Sequence, residues 1–329
     1  MHMVFFFGLY VVKCDLYEQT PSLTSQSCGI YEPNIPQVSE EQRFALVEFF
    51  GSTGGQSWYL SDGWGIGDPC VDSWYGVECD CFGNIVSITL PDNGLSGQIP
   101  ASVNSLTQMR VLDLHSSPRA GDCSNRLSGD IPSLGKLADL RVLDISLNSF
   151  SELPSDLFMN ANLEILSASG NMLSSLPPRI EELSKLRVIE LDDNPIAATF
   201  PIGAMCNWQD LLILNFANTT MTGPVYDACL ESLNPLIVDL FARTVSANDD
   251  ISGLSGDVPK NLASSWTNIK QGYVSLYLQA DVGGHFGSVC SDLRFCFWFN
   301  FMSHGDLSEI TDSSEIPPVV LTTINLASG

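Results

Sequence analysis

Between Asn162 and Ile196 apolar residues fall at Leu163, Leu166 and Leu173 around Asn171, and the layout returns 23 residues later at Leu186, Ile189 and Ile196 around Asn194. A fixed period of about 20 to 29 residues marks a solenoid, in which each unit buries its apolar side against the next. Followed outward on L-x-x-L-x-L-x-x-N-x-L, the strand starts fall at Ile85, Met109, Leu140, Leu163, Leu186, Leu211, Pro235 and Tyr273. Asparagine recurs at Asn93, Asn125, Asn148, Asn171 and Asn194, where its amide turns the chain and bonds backbone groups of neighbouring coils. Two rungs are stretched, by "HSSPRAGDCSN" after Leu114 and "FARTVSANDDISG" after Leu240. Inserted residues have no place in a stacked core and loop out, as binding loops or as solvated connectors.

A chain of 329 residues ordinarily splits into two or more domains, but a repeat array carries that length in one elongated unit. With 38 acidic against 14 basic residues, the net charge is −24. Such a surface repels phosphate backbones and anionic leaflets, so nucleic acid is excluded as a partner and no direct membrane insertion is expected. Ten cysteines point to an oxidising compartment. The apolar run Val4 to Val12 has the length of a signal h-region and is too short to span a bilayer. Lys13 follows it, no basic n-region precedes it and no A-x-A-like site closes it. A signal peptide or its remnant, a misplaced start and a buried N-terminal segment all stay open.

Several rungs continue with a second signature: "NGLSGQIP" from Asn93, "NRLSGDIP" from Asn125 and "GLSGDVP" from Gly253. With the rungs above, it resembles the plant-type leucine-rich repeat found in plant receptor ectodomains and polygalacturonase-inhibiting proteins. The resemblance runs from about Glu40 to Cys290; the middle rungs, "SFSELP" and "MLSSLPPRIEEL", are closer to intracellular Ras-group repeats. It implies an α/β solenoid: a curved leucine-rich repeat with a parallel concave sheet, about eight to nine coils, capped at both ends. The expected divisions are 1–36 as an N-terminal segment, 37–84 as a cap, 85–283 as repeats and 284–329 as a C-terminal cap and tail. Ser39 to Gln42 form a capping box that opens a helix through Phe50, with Gly51 as its stop. Trp58, Trp64, Trp74 and the pair Cys70 and Cys79 look like the N-terminal cap of secreted repeat proteins, aromatic cover for an open apolar edge. A ligand platform is the other use for those tryptophans.

The remaining cysteines are placed by spacing. Cys206 and Cys229 lie 23 residues apart, one coil, so a bridge between them is the best single pairing. Cys290 with Cys296 would close the C-terminal cap, and Cys14 with Cys28 would pin the leader. Cys81 and Cys123 are left, paired with each other or free. Asn218 in "NTT" is a glycosylation sequon.

Catalytic signatures fail on context. "VGGHFGSV" from Val282 and "HGDL" from His304 are near-matches to kinase loops, but Val282 stands where the first glycine belongs and too few residues separate the two. His285, Cys290, Cys296 and His304 match no zinc spacing. No metal, no cofactor and no catalytic constellation is expected.

Function is then a matter of exposed surface. Strand side chains alternate with period two, so one aliphatic column is expected on the concave face at Val111, Val142, Ile165, Val188, Ile213 and Ile237. Beside it runs a polar column, Asp113, Asp144, Ser167, Glu190, Asn215 and Asp239, extended by Tyr277. A third takes in His115, Asp192, Phe241 and Gln279. An exposed aliphatic stripe beside an acidic one suits a protein or peptide with basic and apolar side chains. The reading is a secreted, non-catalytic recognition module that binds a protein, a peptide or a glycan on the concave face. Its alternatives are a scaffold subunit of a larger cell-surface, organellar or intracellular assembly, and a truncated receptor ectodomain.

Overall fold

The computed structural model describes residues 37–118 and 123–224, with the backbone of five short strands beyond them. All lie in one unit, 35–305. Strand β1 (Val77–Cys79) pairs antiparallel with β2 (Ile85–Thr89), which opens a ladder of parallel strands. These are β4 (Val111–Asp113), β6 (Val142–Asp144), β8 (Ile165–Ser167), β9 (Val188–Glu190), β10 (Ile213–Asn215), β12 (Ile237–Leu240) and β14 (Tyr273–Leu276). One strand per repeat, in register, is what a solenoid requires.

The rung starts expected from the period hold as far as β12, whereas β14 slips by two residues. Tyr273 pairs with Ile237 and Ser275 with Asp239, so Ser275 occupies the column place expected for Tyr277. "YVSLYL" satisfies the apolar template at two offsets, and a two-residue shift keeps every side chain on its face.

Behind the sheet, Leu112, Leu143, Leu166, Ile189 and Leu214 form one fully buried column of the core. The return side of the coils is made of short 3₁₀ turns, at Ala101–Ser105, Leu157–Met159, Ile180–Glu182 and Ile202–Cys206, not of α-helices. The LSGxIP signature supplies β3 (Ser96–Gly97) and β5 (Arg126–Asp130) of a second parallel ribbon, which β7 (Ser149–Glu152) continues without that signature. Gly97 in it has φ +107°, and a β-carbon there would meet Ser52 O at 2.3 Å. Two further pairs use β11 (Gly223–Pro224) with β13 (Leu254–Ser255), and β15 (Val289–Asp292) with β16 (Phe295–Phe297).

The asparagines work as expected. Asn148, Asn171 and Asn194 donate to Leu114 O, Ile145 O and Ala168 O of the preceding rung at 2.9–3.0 Å. Their Oδ1 atoms accept from Leu127, Phe150 and Leu173 N. The residue before each of these, and before Asn93, is left-handed: Asp92, Leu147, Gly170 and Asp193 have φ between +48° and +64°. Asp, Asn and Gly tolerate that region, which makes Leu147 the exception.

At the N-terminal side, α1 (Glu40–Ser52) is capped by Ser39 Oγ, which accepts from Gln42 N at 3.3 Å. The helix runs two residues past Phe50, and Gly51 lies within it. Gln42 does not close the capping box; its Oε1 accepts from Ile85 N at 2.8 Å and ties the helix to β2. Trp58, Trp64 and Trp74 are buried with Phe49 in the core, and their indole N–H groups donate to Thr53, Tyr75 and Ile66 carbonyls. Cover, not a ligand platform, is their use. Cys70 and Cys79 are bridged.

Candidate binding face

Strand pairing aligns both expected columns: Val111, Val142, Ile165, Val188, Ile213 and Ile237 in one, Asp113, Asp144, Ser167, Glu190, Asn215 and Asp239 in the other. Their exposure differs from expectation. Val142, Val188 and Ile213 have no exposed surface and Ile165 keeps 3%, although none of them belongs to the leucine core. The aliphatic stripe is therefore no open patch. Asp113, Asp144, Ser167, Glu190 and Asn215 are buried as well.

Within the polar column the acids are held by neighbours two residues on. Asp113 Oδ1 accepts from His115 N at 3.2 Å and lies 2.6 Å from His115 Nδ1. Asp144 Oδ1 accepts from Ser146 N and Oγ at 3.1 and 2.7 Å. Ser146 Oγ meets Ser167 Oγ at 2.8 Å, and Ser167 Oγ donates to Glu190 Oε2 at 2.8 Å. Three rungs, those of β6, β8 and β9, are thus joined in hydroxyl and carboxylate contacts. Ser146 and Ser169 belong to the third column and were missed in the sequence, although the same period-two count places them beside His115 and Asp192.

Val111 stays half-buried; the rest of what is accessible lies at the end of the strands, where His115, Ser169 and Asp192 are half-buried, Asp193 is exposed, and Asp92 is half-buried. Ser117 donates to both carboxylate oxygens of Asp92, and Ser169 Oγ donates to Asp192 Oδ1. Burial raises the Asp192 carboxyl to about 7; the Ser169 hydrogen bond opposes this, and the charges of Glu190 and Asp193 add to it. Phe241, Tyr277 and Gln279 lie outside the described residues, as do the side chains of Ile237 and Asp239. The described residues able to hold a metal are Asp113, His115 and Asp144, each with one donor atom within 4.8 Å of the other two.

No protein-family model matches the chain. The receptor-like kinase TMK2 of Arabidopsis thaliana is 30% identical over 239 residues, 72% of this chain and 22% of the relative. The in-register rungs, their asparagine ladder and this likeness decide the family. The chain is a leucine-rich repeat protein of the plant type. Receptor-like protein kinase 7 of the same plant is 32% identical over 197 residues, 57% of this repeat protein and 19% of the relative. A plant ice-binding protein of solved structure is 26% identical with a TM-score of 0.55, over 68% of this chain and 67% of that one. The repeat protein spans at most 22% of the length of the first curated relatives.

The cysteines of this leucine-rich repeat protein depart from expectation at one pair. Cys81 is disulfide-bonded and Cys123 is a free thiol, so the two are neither joined nor both free. Cys206 is bonded, and its expected partner Cys229 lies outside the described residues, as do Cys14, Cys28, His285 and His304. Cys290 and Cys296 sit on the paired strands β15 and β16, with side chains outside the description. Asn218 occupies a left-handed turn position, and its Nδ2 donates to Asp193 Oδ1 at 2.7 Å. Among the described residues no helix is long and apolar enough to cross a membrane.

Proposed function

We propose that this leucine-rich repeat protein is a non-catalytic recognition module that takes a protein or peptide with basic side chains along the strand-end edge of its sheet. The observation that carries it is the placement of accessible Asp92, Asp192 and Asp193 beside a buried acidic column. Negative charge on one edge, its constant part on Asp92 and Asp193 and a pH-dependent part on Asp192, steers a basic partner and orients it on the rungs. The bridged Cys70 and Cys79, with bonded Cys81 and Cys206, fit work in an oxidising compartment, outside the cell or in the secretory lumen.

Replacing Asp113, Asp144 and Glu190 is a poor test, because each is only 3% exposed and its loss would disturb the rungs. The accessible set is the better one. Changing Asp92, Asp192 and Asp193 together to Asn should weaken binding to arrayed Lys/Arg-containing peptides by about tenfold or more and flatten its salt dependence. Unchanged affinity and salt slope would remove the edge as the binding surface. A free monomer on gel filtration supports the recognition role, whereas co-purification at fixed stoichiometry would favour a scaffold subunit.

A further inference from the structure

The outer surface of the cap is built unlike the rest of the described surface. Eight of the ten large apolar side chains exposed among the described residues fall between residues 44 and 82. A helix packed on a core ordinarily keeps polar residues on its outer side. Helix α1 buries Ala45, Leu46 and Phe49, yet it leaves Phe44 and Val47, neighbours one turn apart, exposed on the other side. Direct bonds gather three more exposed side chains round the start of that helix. Asp68 stands between Ile66 and Val71 in the chain, and its carboxylate accepts from Val38 N at 2.9 Å and from Val71 N at 3.2 Å. The Cys70–Cys79 bridge ties Val71 to the β1–β2 turn that carries Phe82, and Gln42 Nε2 donates to Asn84 Oδ1 in that turn at 3.3 Å. Ile66 and Phe82 are 74% and 78% exposed. Single exposed apolar groups are ordinary, whereas a gathering of them marks a surface that another molecule covers.

The charge round these side chains selects the molecule. Residues 37–84 hold eight acids, among them Glu40, Glu41 and Glu48 on α1 and Asp72 next to Val71, against one base, Arg43. We propose that this apolar, acid-rimmed face of the cap docks a partner protein through a segment that sets Leu- or Phe-like anchors among Lys and Arg, separately from the strand-end edge of the sheet. An apolar centre within a polar rim is the layout of a protein interface. Opposite charge on the partner aligns it and speeds the encounter. The same charge argues against other occupants. A second copy of the chain would set these acids against their own kind, and an anionic leaflet would be repelled. Residues 1–36, with one lysine and no arginine against three acids, supply no basic ring.

The test uses the full, disulfide-bonded chain. A displayed library of randomised peptides is selected on it and counter-selected on the triple variant Phe44→Ser, Ile66→Ser, Phe82→Ser. These residues are exposed, so the variant should unfold at the same urea concentration as the unaltered chain. Surviving peptides should combine apolar anchors with net positive charge, bind the variant about tenfold or more weakly, and bind less as salt rises. Covalent footprinting of the unaltered chain with such a peptide should protect Phe44, Ile66 and Phe82, a readout that stands even if the variant misfolds. The proposal is overturned if no peptide distinguishes the two chains, or if those that do are acidic or lack apolar anchors. Self-association that the variant abolishes would give the face to a second copy, and flotation with anionic vesicles that it abolishes would give it to a membrane; either result sinks the proposal. So does protection of Phe44, Ile66 and Phe82 already in the free monomer, which would show that the chain covers them itself.

Discussion

The cap and the rungs bury apolar surface by different means. A rung relies on its neighbours: Leu166 lies between Leu143 and Ile189, and Asn171 bonds the backbone of the rung before it and of its own turn. The cap has no equivalent unit to copy. It covers the Ile85 and Ile88 row with α1 and with Trp58, Trp64 and Trp74, fastened by the Cys70–Cys79 bridge. A rung therefore tolerates a local loss that its neighbours share, while the cap depends on a few large side chains without substitutes.

The sharpest way to break that contrast is Trp74→Ala. Trp74 is 1% exposed and packs against Trp64, with ring centroids 5.2 Å apart. Its truncation should cost about 3–5 kcal/mol in urea unfolding. Hydrogen exchange should rise first in 40–90; uniform loss of protection along the rungs would show that the cap is no separate weak point.

Replacing Cys70 and Cys79 together by Ser should cost about 2–3 kcal/mol, since the bridge closes a loop of sequence separation 9. Reduction of the unaltered chain, which also opens the bonds of Cys81 and Cys206, should cost at least as much. Within the rungs, Asn171→Ala leaves Ile145 O, Ala168 O and Phe150 N without their side-chain partner. A cost of about 1–3 kcal/mol is expected, with exchange rising mainly in 140–200. Spread of that effect into the cap would merge the two regions into one cooperative block.

A further effect is one of pH. The Asp192 carboxyl is raised from 3.8 to about 7 in the folded chain, so between those values the folded state holds a proton that the unfolded state releases. Its contribution to stability is fully present below the lower value and is lost as pH rises through the upper one. Asp192→Asn should therefore gain on the unaltered chain between pH 5 and pH 8, read from urea midpoints at the two values. A parallel offset at both would place the raised carboxyl elsewhere.

Much of the fold was legible because burial in a solenoid repeats. Leucines such as Leu140, Leu163 and Leu186 recur at one coil's spacing, and Asn148, Asn171 and Asn194 mark the turns that follow. Period-two alternation likewise put Asp113, Asp144 and Glu190 in one column before any strand pairing was known. Exposure was not legible in the same way. A residue's face follows from its own position, but its accessibility depends on what stands beside and above it, so Val142 and Val188 counted as open surface and are buried. The β14 register was ambiguous because Tyr273, Leu276 and Leu278 fit the template at one offset and Val274 with Leu276 at another.

The sequence by itself determined the period, the rung residues, the cap aromatics and the acidic charge, because each depends on local spacing or on composition. Only the tertiary structure decided which of those residues meet. It brought Asp113 and Asp144 face to face beside His115 from positions 31 residues apart in the chain, set Gln42 on Ile85, and left Asp92, Asp192 and Asp193 as the accessible acids of the edge. Distances across rungs are fixed by how coils of unequal length stack, and the long insertion before Asn125 shows that sequence separation alone does not give them.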